Sequence, residues 1–301
     1  MRNTSGGSSG SWDVKLNESG LNPLRLSVSP LNSSPVTSDD MYLGLDYASA
    51  PPLRYSHNGG STWSSPTNFG NTTSVTDIAP YPVSGSRSQH VWACGLDPDY
   101  GDHREMGEHE NPPNISADAI YCGVWRSTDR GNNWTQKEMG DFNCTAIAIA
   151  DISPNVPLIY VATGNKIYRS DEGSNWTELT NYRTIANAYP VALRVGNSNY
   201  VYAASDHGIH YSTNSGANWT ERNGTGSNVI PSADQNILAL TMAHDNKDIM
   251  YATTENNVYK TTDAGANWSA VSSGLGRMPI SSLVALKNQS NTWSVSESYS
   301  L

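Results

Sequence analysis

Basic residues are scarce in this chain. Its 301 residues hold 18 Lys and Arg against 28 Asp and Glu, a net charge of −10. A nucleic-acid partner needs a positive surface, so that class of ligand is excluded. Long apolar runs are also missing, and none approaches a membrane helix in length, so no membrane span is expected. The opening "MRNTSGGSSGSW" lacks the apolar core of a signal peptide. Residues 1–10 read as a flexible segment or linker, with its "SGGSSGS" run. Helical periodicity of useful length is absent throughout. Cysteine is limited to Cys94, Cys122 and Cys144, and no catalytic motif surrounds the last of these.

What the chain does have is one short pattern, five times over. "SHNGGSTWSS" carries Asn58, Gly60 and Trp63, and "STDRGNNWTQ" carries Asp129, Gly131 and Trp134. "RSDEGSNWTE" carries Asp171, Gly173 and Trp176, with its serine one place late. "STNSGANWTE" carries Asn214, Gly216 and Trp219, and "TTDAGANWSA" carries Asp263, Gly265 and Trp268. The shared form is Ser/Thr-x-Asp/Asn-x-Gly-x-x-Trp. The last four tryptophans lie 42, 43 and 49 residues apart, after a first gap of 71. A period near 43 is the mark of a repeat architecture. Within each box the Asp or Asn can accept hydrogen bonds from amides further along the turn. The glycine allows a positive φ at no steric cost, and the tryptophan opens the next strand with a large apolar anchor. Five copies of a turn are expected in a repeat protein, whereas five copies of a catalytic site are not. The boxes are therefore read as structural.

The flanking sequence alternates as a sheet protein does. "LIYVAT" then "KIYRS", "YVYAAS" then "GIHYS", and "IMYATT" then "NVYKT" are pairs of short β-rich runs joined by small polar turns. A more apolar run precedes each pair, and a strand opened by the box tryptophan follows. Four strands per repeat make a propeller blade. The boxes resemble the Asp-box, or bacterial neuraminidase repeat, of sialidases, xyloglucan-cleaving glycoside hydrolases, sortilin-type receptors and a photosystem assembly factor. The resemblance covers about residues 24 to 286 and implies an all-β propeller of four-stranded antiparallel blades. In that superfamily the boxes lie on the face away from the usual ligand site, and relatives differ in function.

Six blades are expected, with seven as the alternative. A sixth inner strand begins near Ile280, "TWSVSES" follows it, and "SWDVKL" near the N-terminus would close the ring as the outer strand of that blade. Residues 11–301 thus read as one propeller domain with an insertion at 95–118. A terminal strand that closes one ring could instead close a neighbour's, so self-assembly through the terminal strands stays open as the alternative to ring closure.

The insertion, "GLDPDYGDHREMGEHENPPNISAD", stands where other blades have a turn of a few residues. Long loops of this kind are uncommon and often functional. It holds Asp97, Asp99, Tyr100, Asp102, His103, Glu105, Glu108, His109 and Glu110. Three readings stay open: oxygen ligands for calcium, Ca2+, an acid–base pair acting on a glycoside, or a solvated acidic loop. Its spacing matches no specific metal motif. Cys94 and Cys122 flank it and are expected to form a disulfide, the alternative being two buried thiols, while Cys144 reads as a core residue. Among many Asn-x-Ser/Thr sequons, Asn71 and Asn114 are the favoured glycosylation sites of a secreted protein.

The sialidase resemblance does not extend to chemistry. The Phe-Arg-Ile-Pro motif is missing, and Arg25 and Arg194 lack the context of an arginine triad. The sequence reading is an extracellular or cell-surface binding or structural propeller, engaging glycan or protein on the face opposite the boxes. The alternative is a glycoside hydrolase using carboxylates of the loop face, Asp141, Glu178 and Asp234 among them.

Overall fold

The computed structural model describes residues 23–29, 40–46, 51–69, 74–80, 90–96, 123–137, 144–153, 156–186, 188–195, 200–243, 246–272, 282–287 and 293–298. The chain divides into two compact units, Met1–Thr145 and Ala146–Leu301. Both are built from short antiparallel sheets in which consecutive strands pair in order.

The first unit holds two sheets. One is three-stranded, β1 (Pro23–Ser29), β2 (Asp40–Leu45) and β3 (Leu53–Ser56). The other is four-stranded, β4 (Ser74–Pro80), β5 (Val91–Leu96), β6 (Gly123–Ser127) and β7 (Thr135–Lys137). Their shared core joins Tyr42, Leu53, Val75, Ile78 and Val91 to Phe69, Trp125 and Trp134. Phe69 meets Trp134 edge to face at 5.3 Å between ring centroids, a favoured aromatic geometry.

The second unit holds three four-stranded sheets. They are β8 (Ala146–Ser153), β9 (Val156–Thr163), β10 (Lys166–Asp171) and β11 (Trp176–Glu178); β12 (Pro190–Val195), β13 (Val201–Ser205), β14 (Gly208–Ser212) and β15 (Thr220–Glu221); and β18 (Ala239–Met242), β19 (Met250–Thr253), β20 (Val258–Thr261) and β21 (Ser269–Ala270). A two-residue-per-strand hairpin, β16 (Gly224–Thr225) with β17 (Asn228–Val229), precedes the third. The middle strands β13 and β19 are buried at every position. They are covered on both faces, so the simple alternation of a half-exposed strand vanishes there. Helix α1 (Thr180–Ile185) follows β11. Six residues cannot display a helical period. One side chain holds the helix in place: Tyr182 is fully buried and meets Trp219 edge to face at 5.1 Å.

Among the described residues the fold is thus an all-β propeller of five blades, not the six or seven expected. In place of the expected sixth blade, the described residues hold two strands: β22 (Ser282–Lys287) and β23 (Trp293–Ser298) pair with each other and, among the described residues, with no third strand. Two strands fall short of the four-stranded blade, and β22 packs instead against β18 and β19 of the preceding sheet. The "SWDVKL" strand expected to complete it lies outside the described residues.

Candidate functional site

The box turns share one hydrogen-bond scheme. In the second box Ser127 Oγ donates to Asp129 Oδ1 at 2.9 Å and accepts from Gly131 N at 2.8 Å. Asp129 Oδ1 also accepts from Asn133 N at 2.8 Å. The same three contacts recur around Asn58, Asn214 and Asp263, all between 2.8 and 3.0 Å. The box built on Asp171 departs from it, because Arg169 stands where the others place Ser or Thr. In every box the residue before the glycine is left-handed: Gly59, Arg130, Glu172, Ser215 and Ala264 have φ of 56° to 62°. The box glycines follow at 74° to 90°. At Gly131 a side chain would also strike the Tyr42 ring, 2.9 Å from a built Cβ.

The tryptophans divide into two groups. Trp134, Trp219 and Trp268 are buried, and each indole N–H finds a carbonyl at 2.9 to 3.0 Å, Gly131 O, Gly216 O and Arg222 O respectively. Trp63 and Trp176 are half-buried, and their indole N–H groups have no partner among the described residues.

Electrostatics agree with this local accounting. Burial raises the carboxyl pKa of Asp129, but hydrogen bonds from Asn133 and Ser127 outweigh it and hold the group below its ordinary value. Asp263 is lowered in the same way, through Asn267 and Thr261. The polar atoms of these boxes are spent inside their own turns.

Strand direction alternates along each sheet, so the other end of each blade carries the β13–β14 and β19–β20 turns and the segments entering β12 and β18. In the second unit the segment 231–237 docks there. Gly208 N donates to Gln235 O at 2.7 Å, and Ile237 N donates to Ser205 O at 3.0 Å. A single 3-10 turn, Ser232–Asp234, places Asp234 against the β19–β20 turn. Its Oδ2 accepts from Tyr259 OH at 2.6 Å and from Asn257 Nδ2 at 2.7 Å. Burial would raise the Asp234 pKa, but the bonds from Tyr259, Asn257 and Asn256 lower it. Tyr259 moves up, chiefly through burial and then through its bond to Asp234. The carboxylate is thereby kept ionised, the opposite of what a glycosidase general acid requires. At the neighbouring blade Asp206 Oδ1 accepts from Tyr189 N at 3.1 Å and contacts His207 Nδ1 at 3.0 Å. Tyr189 itself is 40% exposed.

In the first unit the corresponding end carries a disulfide, and it corrects the expected pairing. Cys94 is bonded to Cys144, not to Cys122, with the two Cα atoms 5.2 Å apart. The β5–β6 register sets Val124, not a cysteine, opposite Cys94. Cys144 N donates to Gly95 O at 3.2 Å, and Thr76 Oγ1 donates to Cys144 O at 2.7 Å. These bonds hold Cys144 alongside the end of β5. Cys144 is fully buried, and Cys122 lies outside the described residues.

The insertion residues Asp97, Asp99, Tyr100, Asp102, His103, Glu105, Glu108, His109 and Glu110 also lie outside the described residues, as do Asn71, Asn114 and Asp141. Among the described residues no cluster of three or more His, Cys, Asp or Glu is placed to hold a metal ion. Glu178 sits on β11 beside Tyr168, whose OH donates to Glu178 Oε2 at 3.5 Å.

Sequence reasoning missed a buried carboxylate in the first unit. Asp40 is 1% exposed and accepts from Arg130 Nε at 2.7 Å, while His57 Nδ1 lies 3.0 Å away. The two partners come from the first two boxes, 73 residues apart in sequence. Nothing in the local pattern marked them as a pair, and only the Arg in the left-handed position was there to be noticed.

Fold and strand order together define a β-propeller, and comparison with known proteins agrees. The DUF6242 beta propeller domain family matches residues 158–299. A search of the curated proteins finds no match. Among solved structures, the extracellular domain of a putative hybrid two component system from B. thetaiotaomicron superposes with a TM-score of 0.61 at 10% identity, covering 94% of this chain and 31% of that one. An ancestral GH74 enzyme gives 0.55 at 19% identity, covering 86% and 33%. YCF48 bound to D1 peptide gives 0.50 at 13% identity, covering 88% and 85%. The structural neighbours thus include glycoside hydrolases and peptide-binding propellers, and the chain spans about a third of the first two. No helix among the described residues is long and apolar enough to cross a membrane.

Proposed function

We propose that this chain is an Asp-box propeller that acts outside the cell or at its surface as a binding or structural module. It engages glycan or protein through the loop ends of its blades, opposite the boxes. The observation that carries this reading is the asymmetry between the two ends. The box ends consume their own hydrogen-bonding atoms, as at Asp129 and Asp263. The loop ends present the exposed Tyr189, with Asp206 and His207 beside it at 40% and 61% side-chain exposure. Aromatic surface with a few polar groups is what a recognition site requires.

A catalytic reading finds less support. Among the described residues, the carboxylates whose ionisation the fold moves, Asp129, Asp234 and Asp263, all move down, whereas a general acid must move up. The test is a glycan array run beside a panel of chromogenic glycosides. Retention of glycans without turnover is the expected result, and steady release of chromophore would replace this reading with the hydrolase.

A further inference from the structure

We propose that the entry to β12 is a subsite for a neutral saccharide, built from Tyr189, Val191, Asp206 and His207. The proposal rests on the loop-end reading above and names the ligand class. Residues 189 to 192 run exposed, buried, exposed, buried, so Tyr189 and Val191 share one side of an extended segment. They are 40% and 39% exposed and offer an apolar strip that fits the C–H face of a pyranose ring.

Beside this strip two polar atoms are left over. Asp206 Oδ1 is occupied by Tyr189 N and His207 Nδ1, but Asp206 Oδ2 accepts nothing among the described residues. In the neutral ring with Nδ1 donating to Asp206, the His207 Nε2 atom is also an unused acceptor. His207 N is tied to Ser205 Oγ at 3.2 Å, and Gly208 N to Gln235 O at 2.7 Å, so the turn that carries both side chains is held in place. Two outward acceptors flanking an apolar strip call for a ligand with two hydroxyl donors and a C–H face. A carboxylate or sulfate ligand would bring acceptors to acceptors, in a chain already at −10. A neutral sugar meets all three requirements.

Tyr200 supplies the internal control. It is also 40% exposed but immediately precedes β13, at the box end of the same blade. Asp206→Asn is the discriminating variant. It keeps the oxygen that Tyr189 N and His207 use, and turns the outward acceptor into a donor. The experiment prints neutral and sialylated oligosaccharides on an array and probes the full chain. Y189A and D206N should each weaken binding to neutral glycans by about tenfold or more, Y200A should leave it unchanged, and all three should keep the parent melting curve. Binding of neutral glycans that survives both Y189A and D206N overturns the subsite but leaves the loop-end reading standing. Loss on Y200A alone overturns the loop-end reading itself. Retention of sialylated glycans only, or of none, sinks the assignment to a neutral saccharide.

Discussion

At the scale of single residues, the box separates two effects that a sequence pattern merges. The tryptophan supplies burial, and the residues before it supply a turn with two consecutive left-handed positions. Trp219 is 1% exposed, lies against Tyr182 and donates its indole N–H to Gly216 O. Trp219→Ala should cost about 3–5 kcal/mol in denaturant unfolding, as truncation of a large buried aromatic does. Trp176→Ala should cost clearly less, since that ring is half-buried with no partner for its N–H among the described residues. The left-handed residue gives the opposite sign. Ala264 has φ of 56°, its backbone N–H donates to Asp248 O and its carbonyl accepts from Arg222 Nε, and its single methyl is the one core contact that glycine would give up. Ala264→Gly keeps those bonds and removes the steric penalty of a side chain in that region, so it should stabilise by about 1 kcal/mol. Titration provides a third check. Asp129 and Asp263 both have folded pKa values below the ordinary 3.8, so the unfolded chain takes up protons first as the pH drops. Their contribution is complete above 3.8 and is lost as the pH falls through the lower folded value. Melting curves of D129N/D263N should therefore show a shallower acid slope below that point than the parent. The boxes at Asn58 and Asn214 do not titrate, so a parent slope equal to the double variant's would refute the assignment.

At the scale of elements, the repeat told much and its exceptions told more. The period of the tryptophans and the paired β-rich runs mark out β8 to β15 and β18 to β21 strand by strand, because each box fixes where one strand ends and the next begins. The blade count failed where no box stands guard. β22 was legible as an apolar run, but a strand read without its turn carries no statement of how many partners it will find. The disulfide failed for a different reason. Cys94 and Cys122 flank the insertion in sequence, whereas bridging depends on register, and the register puts Val124 opposite Cys94. The true partner, Cys144, comes from the segment that enters the next inner strand, which no local pattern ties to β5. The Asp40 cluster was hidden likewise, its two partners belonging to different boxes. A digest of the non-reduced protein should yield a Cys94–Cys144 linked peptide with Cys122 open to thiol alkylation; a Cys94–Cys122 peptide would contradict the structure. The bridge spans 50 residues, and on the chain-entropy view C94A/C144A should lose about 4 kcal/mol.

At the scale of the whole molecule, the proposed function divides the labour between the two ends of the blades, and the insertion tests that proposal. β5 and β6 pair from Val91↔Ser127 to Gly95↔Gly123 without interruption. The sheet is therefore complete before the insertion begins, and nothing in the ladder requires the residues between Leu96 and Cys122. The turns that join the second and third strands of the second unit's four-stranded sheets are short, as between β13 and β14, where Ser205 pairs directly with Gly208. A two-residue Asn-Gly turn has the twist to join two such strands. Replacing residues 97–121 with Asn-Gly should leave the melting temperature close to the parent's, because the pairs on either side and the Cys94–Cys144 bridge are untouched. Two readouts then separate structure from function. If the acids of residues 97–110 engage a ligand or Ca2+, calorimetric titration with calcium should lose its signal and the glycan array should change. If they form only a solvated loop, both measurements should match the parent and the functional role assigned to the insertion fails. A variant that unfolds would show instead that the insertion holds the blade together, against the uninterrupted ladder of β5 and β6.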